Sequence, residues 1–223
     1  MAQQWSFVAA GSGATGADPV PGMPSGWMPG DLLLVVGVCS TVSFSATPPA
    51  GWSEVARYTT GTPRMVVWLR TAVLGDTAPT CTNSGASSAA VMVAYRRLQS
   101  GTTDAVGSMA AAAGTSLATG TVSCSEVDEL LFSIWGCGVS PASTTTITKD
   151  ANVTTRVSKT ASTSICAYNI CDEYRSASGT TTTRTATTNR TVNLNAIQVA
   201  FKQHRMPLVI MPPIIPAKVQ CYG

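Results

Sequence analysis

Charge is what this chain has least of. Only 11% of its 223 residues are Asp, Glu, Lys or Arg, against roughly 25% in ordinary soluble domains. The 14 Lys and Arg are scattered rather than clustered, and the net charge is only +3. That pattern gives no basis for nucleic-acid or membrane-surface binding. Histidine is down to one, His204, and aromatics to 6%. No apolar run approaches the ~18 residues of a membrane span. The N-terminal stretch MAQQWSFVAAGSG lacks a basic segment followed by a long apolar one. No secretory signal is therefore expected, and synthesis and folding are expected in a cytoplasm.

Chemistry-bearing patterns are missing too. There is no phosphate-binding glycine loop, no GxGxxG, no EF-hand loop and no GxSxG elbow. His204 is flanked by Gln203 and Arg205 ahead of a Pro-rich tail, and is read as a solvated or interface side chain. Asp31, Asp76 and Asp128 fall at turns, where bonds to nearby backbone account for them. No pair of the 11 carboxylates is evidently opposed as a glycosidase requires. The seven cysteines (39, 81, 124, 137, 166, 171, 221) form no CxxC and have no histidine cluster beside them, so no zinc site is expected. They read as buried free thiols. No catalytic, cofactor or metal residue is assigned.

What is present is β-structure. GDLLLVVGVCS, residues 30–40, and VDELLFSIWGCG, residues 127–138, are turn-launched apolar runs. Each is too short for a buried helix and too apolar for a surface strand. Each reads as a central strand covered on both faces. Asp31 and Asp128 mark the entrances to the two runs and Cys39 and Cys137 the exits. Leu33, Val35, Leu131 and Ile134 are expected in the core. Further strands are expected at 5–9, 52–58, 64–70, 78–82, 88–98, 117–124, 153–157, 165–171 and 195–202. Residues 11–30 read as a Gly/Pro loop with Trp27 capping the core edge, and 100–120 as a loop-like joint. The Thr tract 180–188 reads as an edge or solvent-facing strand. Trp52, Trp68 and Trp135 are read as core side chains, with a sugar-binding platform as the alternative.

The two runs echo each other. Leu32-Leu33 matches Leu130-Leu131 at an offset of 98, and Ala94-Tyr95-Arg96 matches Ala200-Phe201-Lys202 at 106. The expected fold is all-β: a jelly-roll-like β-sandwich of about ten strands over residues 1–205. Chance similarity and two related halves, about 1–100 and 115–205, both remain open for this echo.

Residues 206–223, MPLVIMPPIIPAKVQCYG, carry four prolines that exclude a continuous helix and a central strand. An extended C-terminal arm is expected there. Leu208, Val209, Ile210, Met211, Ile214 and Ile215 would form an apolar patch that a soluble monomer rarely leaves uncovered. The arm is therefore expected to dock on a neighbouring copy, giving a homo-oligomer, with a trimer as the suggested state. Cys221 is the candidate for an intermolecular disulfide.

The string carrying Gly30-Asp31, Pro49 with Gly51-Trp52, Trp68 with Arg70, Gly75-Asp76 and Ala94-Tyr95-Arg96 resembles a module of tailed-bacteriophage structural proteins of the minor tail, fibre and head-decoration kinds. The resemblance covers about residues 26–98, and the second half lacks the PxGW turn. It implies a non-enzymatic virion β-sandwich, a capsid decoration or tail protein, whose partners are itself and other virion proteins. A receptor- or glycan-binding tail-fibre module, contacting host surface glycan, is the alternative.

Overall fold

The structure, a computed structural model, describes residues 5–40, 43–83, 87–97, 101–138, 144–160 and 166–203. The fold is all-β. The first sheet comprises β1 (Trp5–Ala10), β2 (Ala14–Thr15), β3 (Leu32–Cys39), β4 (Ser53–Tyr58), β5 (Arg64–Thr71) and β6 (Ser88–Arg97). Its order is β1-β6-β3-β5-β4, with β2 also on β6. Next come β7 (Gly101–Val106), β8 (Ala110–Ala118), β9 (Ser123–Cys124), β10 (Glu129–Gly138), β11 (Ile147–Thr148), β12 (Thr154–Lys159), β13 (Ala167–Arg175), β14 (Gly179–Thr180) and β15 (Thr185–Gln203). The second sheet runs β11-β15-β10-β13-β12, with β7 and β8 on β15, while β9 and β14 form a separate pair. Eleven of these strands are six residues or longer, close to the ten expected.

The two sheets form a sandwich. Along β3, Leu32, Leu34, Val36 and Val38 point at the second sheet, where Phe132, Ile134, Ile170, Ile197 and Val199 meet them. The alternate residues Leu33, Val35 and Cys39 point outward, and are covered by Phe44, Trp52, Met23 and Trp27 from the loops. Burial on both faces removes any need for a polar side chain, which is why the run is continuously apolar. β10 repeats the arrangement, with Leu130, Phe132 and Ile134 inward and Trp135 and Cys137 outward. Leu33, Val35, Leu131 and Ile134 are all buried as expected. Only Ile134 lies between the sheets; the other three belong to the outer layers.

Four expectations are overturned, one of them the single strand at 117–124, where β8 ends at Ala118, 119–122 are irregular and β9 holds only Ser123–Cys124. The joint at 100–120 is not loop: β7 and β8 pair with β15 over most of it. Residues 78–82 are irregular rather than strand, although Cys81 in them is buried and its amide bonds the Pro19 carbonyl at 3.0 Å. The Thr tract is divided: Thr185–Thr187 pair with β8, Thr187 and Thr188 with β11, and 181–184 are irregular.

The sheets also match strand for strand. Leu32 faces Tyr95 and Thr71 in the first, as Leu130 faces Phe201 and Tyr174 in the second. The edge pair β4–β5 breaks register between Glu54 and Ala56, and β12–β13 between Thr155 and Val157. Another break falls between Phe7 and Ala9 opposite Tyr95, and its counterpart at Asp104 opposite Phe201. Gly11 N–H bonds the Met92 carbonyl at 2.8 Å, and Gly107 N–H bonds that of Gln198 at 2.9 Å. β-Bulges sit at specific places in a ladder, so their repetition aligns the sheets residue by residue.

The entrances of β3 and β10 lie at one end of the sandwich and their exits at the other. At the exit end a Cβ on Gly136 would come within 2.9 Å of Met65 and Val38 of the opposite sheet, so glycine permits this close approach. At the entrance end Tyr95 meets Phe132, ring centroids 4.9 Å apart.

Candidate functional site

The motif residues of the first half converge on the entrance end, where they hold loops to strands. Asp31 is 3% exposed. Arg96 forks onto it, Nε to Oδ1 at 3.1 Å and Nη2 to Oδ2 at 2.9 Å, and Asp31 also accepts the Met28 amide at 2.8 Å. Arg70 makes the same kind of fork on Asp76, and Asp76 accepts the Val73 amide at 2.8 Å. Arg70 Nη1 reaches on to the Ala50 carbonyl at 3.2 Å. It passes over Gly51, whose φ is +81° and where a Cβ would lie 2.2 Å from Nη1. Glycine is required there both for the backbone and for the guanidinium. Bidentate Arg–carboxylate pairs fix geometry as well as contribute energy, so these charges serve as staples.

The second sheet re-uses the positions with altered chemistry. Glu129, not Asp128, is the counterpart of Asp31: its Oε1 accepts the amide three residues earlier, Glu126, at 2.8 Å. Asp128 is instead a turn residue with φ of +67°. Lys202 stands where Arg96 stands and pairs at 3.0 Å with Asp104, the bulge residue of β7. Asp104 also accepts the Ser125 amide and hydroxyl, each at 2.6 Å. Burial alone would raise its pKa, but the Ser125 bonds and Lys202 outweigh that and bring it to about 2. Glu129 is pushed up, by burial first and by Asp104 beside it, against the Glu126 bond. The two carboxyls are thus driven apart, as in acid–base sites. Here, however, Glu129 is fully buried and Asp104 is held by Ser125 and Lys202. Glu173 and Arg184 pair at 2.6 and 2.9 Å. This repeats the Arg70–Asp76 staple with the charges exchanged.

A third polar group joins the sheets. Tyr95 OH donates to Asp172 at 2.7 Å, and Arg156 Nε bonds both oxygens of Asp172 at 2.8 Å. The Arg156 guanidinium lies 4.9 Å from the Phe7 ring centroid. Asp104 and this network had no sequence signal, since each joins residues far apart in the chain. The repeat offsets could have paired Glu129 with Asp31 and Lys202 with Arg96.

Trp52, Trp68 and Trp135 are buried, Trp68 and Trp135 completely, so they form no exposed sugar-binding platform. An open pocket of about 310 Å³ on the outer face of the first sheet is lined by Ser45, Thr47, Pro49, Thr80 and Thr82, with Trp68 behind them. Its lining has hydroxyls and no charge. Cys39, Cys81, Cys124, Cys137, Cys166 and Cys171 are free and buried. Among the described residues no group of three or more His, Cys, Asp and Glu is placed to hold a metal ion, and no helix is long and apolar enough to cross a membrane. His204, Cys221 and the arm residues Leu208, Val209, Ile210, Met211, Ile214 and Ile215 lie outside the described residues.

Among the described residues seven large apolar side chains are exposed, Val20 at 50% and Val106 at 42% being two of them. Leu74 is 88% exposed, Met28 50%, Val73 49%, Val127 40% and Tyr174 37%. Met28 precedes β3, Val127 precedes β10, Val73 and Leu74 follow β5, and Tyr174 sits in β13 opposite Leu130. All five therefore lie at the entrance end. The chain matches no protein-family model, no curated protein and no solved structure.

Proposed function

We propose that this chain is a non-enzymatic structural component of a tailed-phage particle, a head-decoration or minor tail protein. In this reading it is made in the host cytoplasm and carried in the virion. It would be a jelly-roll-like sandwich of two halves descended from one duplicated unit, assembling with copies of itself and with other virion proteins through residues 206–223. The observation that carries the reading is the use made of the motif residues. Asp31, Arg70, Asp76 and Arg96 are all engaged in loop-to-strand staples, and Gly51 is fitted to one of them. A motif devoted to rigidity suits a particle component. The repeated register and bulges support the duplication.

The test is position in the particle. Antibody or gold labelling of intact particles should place the protein on the head or tail surface. A chain lacking 206–223 should fold and fail to join particles. Incorporation of the truncated chain at full occupancy would refute assembly through the arm, and absence of label on any particle would refute the assignment.

The glycan-binding alternative is favoured by the uncharged hydroxyl-lined pocket over Trp68, whose chemistry suits a neutral sugar. Binding to host polysaccharide that is lost in Thr80→Val with Thr82→Val would support it, and no binding on a polysaccharide array would remove it.

A further inference from the structure

We infer that the apolar entrance end, formed by Met28, Val73, Leu74, Val127 and Tyr174, is the seat of this chain's own segment 206–215. The inference deepens the proposed arm and rests on the claim that the arm is an interaction element, though not on any particle.

Three observations converge. First, five apolar side chains are exposed at this end beside partly exposed Arg96, Glu126, Asp128 and Arg175, and Leu74 at 88% exposure is held out rather than folded in. Asp76 accepts the Val73 amide and is itself clamped by Arg70, so the loop that presents Val73 and Leu74 is fixed. Exposed apolar groups gathered in one region mark an interaction site.

Second, the described chain leaves at this end. Phe201 pairs with Leu130 near the entrance of β10, and Gln203 lies two residues further out, opposite Gly101. Lys202 anchors the exit point on Asp104 and Ser125.

Third, the reach fits. β13, which carries Tyr174, is two strands from β15 across β10, about 10 Å at the usual strand spacing. The first sheet lies about 10 Å away across the sandwich. The five residues from Gln203 to Leu208 span up to about 17 Å when extended. Leu208, Val209, Ile210 and Met211 can therefore reach the apolar end from their own β15, and equally from a copy facing it. A short tether makes the local concentration of the segment high, and its prolines lower the entropy lost on docking. The five side chains of the seat carry no charge, matching a segment whose residues 206–215 carry none either.

The test uses the purified full chain with a photo-crosslinking amino acid in place of Leu74, an exposed position whose replacement leaves the core intact. Mass spectrometry should recover cross-links to 206–215. Mixing isotopically heavy and light chains tells whether the partner segment is in the same chain or another copy, and either result supports the seat. As a second measurement, Val73→Asp with Leu74→Asp should speed tryptic cleavage after Arg205 severalfold while the melting temperature stays unchanged. Cross-links that fall only within residues 5–203 of a second copy would overturn the inference. So would an unchanged cleavage rate. Failure of the phage assignment would leave the cross-link in place, and failure of the seat would leave incorporation into particles untouched.

Discussion

Tyr95 of the first sheet donates its phenolic proton to Asp172 of the second at 2.7 Å. Both are nearly sealed from water, at 1% and 3% exposed. Among the side-chain bonds between the sheets it is buried in the same core as the aromatic contacts Phe7–Tyr95, Tyr95–Phe132 and Phe132–Phe201. At the counterpart positions stand Phe201 and Leu69, so the link is present on one side of the repeat only.

Tyr95→Phe should therefore cost about 1–3 kcal/mol, the penalty for a buried carboxylate that loses one of its donors. Asp172→Ala should cost more, about 3–5 kcal/mol, because it strands both Tyr95 and the partly buried Arg156. Urea unfolding of the two variants checks the order. Equal losses would mean that Arg156 contributes nothing.

Glu129 and Asp104 should give opposing pH dependence. Asp104, held near pH 2 when folded, contributes stability that is complete above its unfolded value of about 3.9. That contribution is lost as pH falls toward 2. Glu129 is shifted upward, so it removes stability as pH rises above about 4.3, where the unfolded chain ionises first. Glu129→Gln should raise the melting temperature at pH 7 and change it little at pH 4. Asp104→Asn should lower it at pH 7 and have least effect near pH 2. Melting curves across that range decide both signs.

Asn195 should be replaceable with profit. It is fully buried, and neither side-chain polar atom has a hydrogen-bond partner among the described residues. The counterpart in the first sheet is Ala89, also buried. Asn195→Ala should stabilise the protein by about 1 kcal/mol, the relief of an unmade bond less a small cavity. Thermal unfolding measures the change.

Five buried thiols should react slowly. Burial raises Cys81 and Cys124 to about 12 and Cys137 and Cys171 to about 11, and it raises Cys166 as well. Since the thiolate is the reactive form, a thiol reagent at pH 8 should label none of these five quickly in native Cys221→Ser. Several fast thiols in that variant would mean that the core opens readily.

The central strands were legible because burial on two faces leaves a nearly continuous apolar run, as at 32–38 and, interrupted by Ser133 alone, at 130–135. The offsets of 98 and 106 were legible for the same reason: apolar ladder partners are constrained on both sides. β8 was not legible. Its AAAAGTSLA has no alternation, and its strand character comes from pairing with β15 rather than from its own residues. Asp104 was hidden in the same way, as a bulge residue whose partners lie 21 and 98 positions later. Trp52, Trp68 and Trp135 were assigned to the core by their apolar neighbours, and they are there. The pairing of Asp31 with Asp128 missed by one residue, because sequence similarity follows residue type, whereas the structure uses Glu129 for the same bond.

Trp5 opposite Arg97 and Gln203 opposite Gly101 put the two outer strand ends of the described chain at one pole. Cys39 and Gly138 end their strands at the other, the eight residues of β3 away, or about 26 Å. The domain therefore has a base and a tip. Anything fused beyond Trp5 or Gln203 would crowd the base, whereas a sequence inserted after Gly138 would project from the tip. A body held at its base would meet its surroundings with the far ends of β3 and β10, and could be extended there without loosening its attachment.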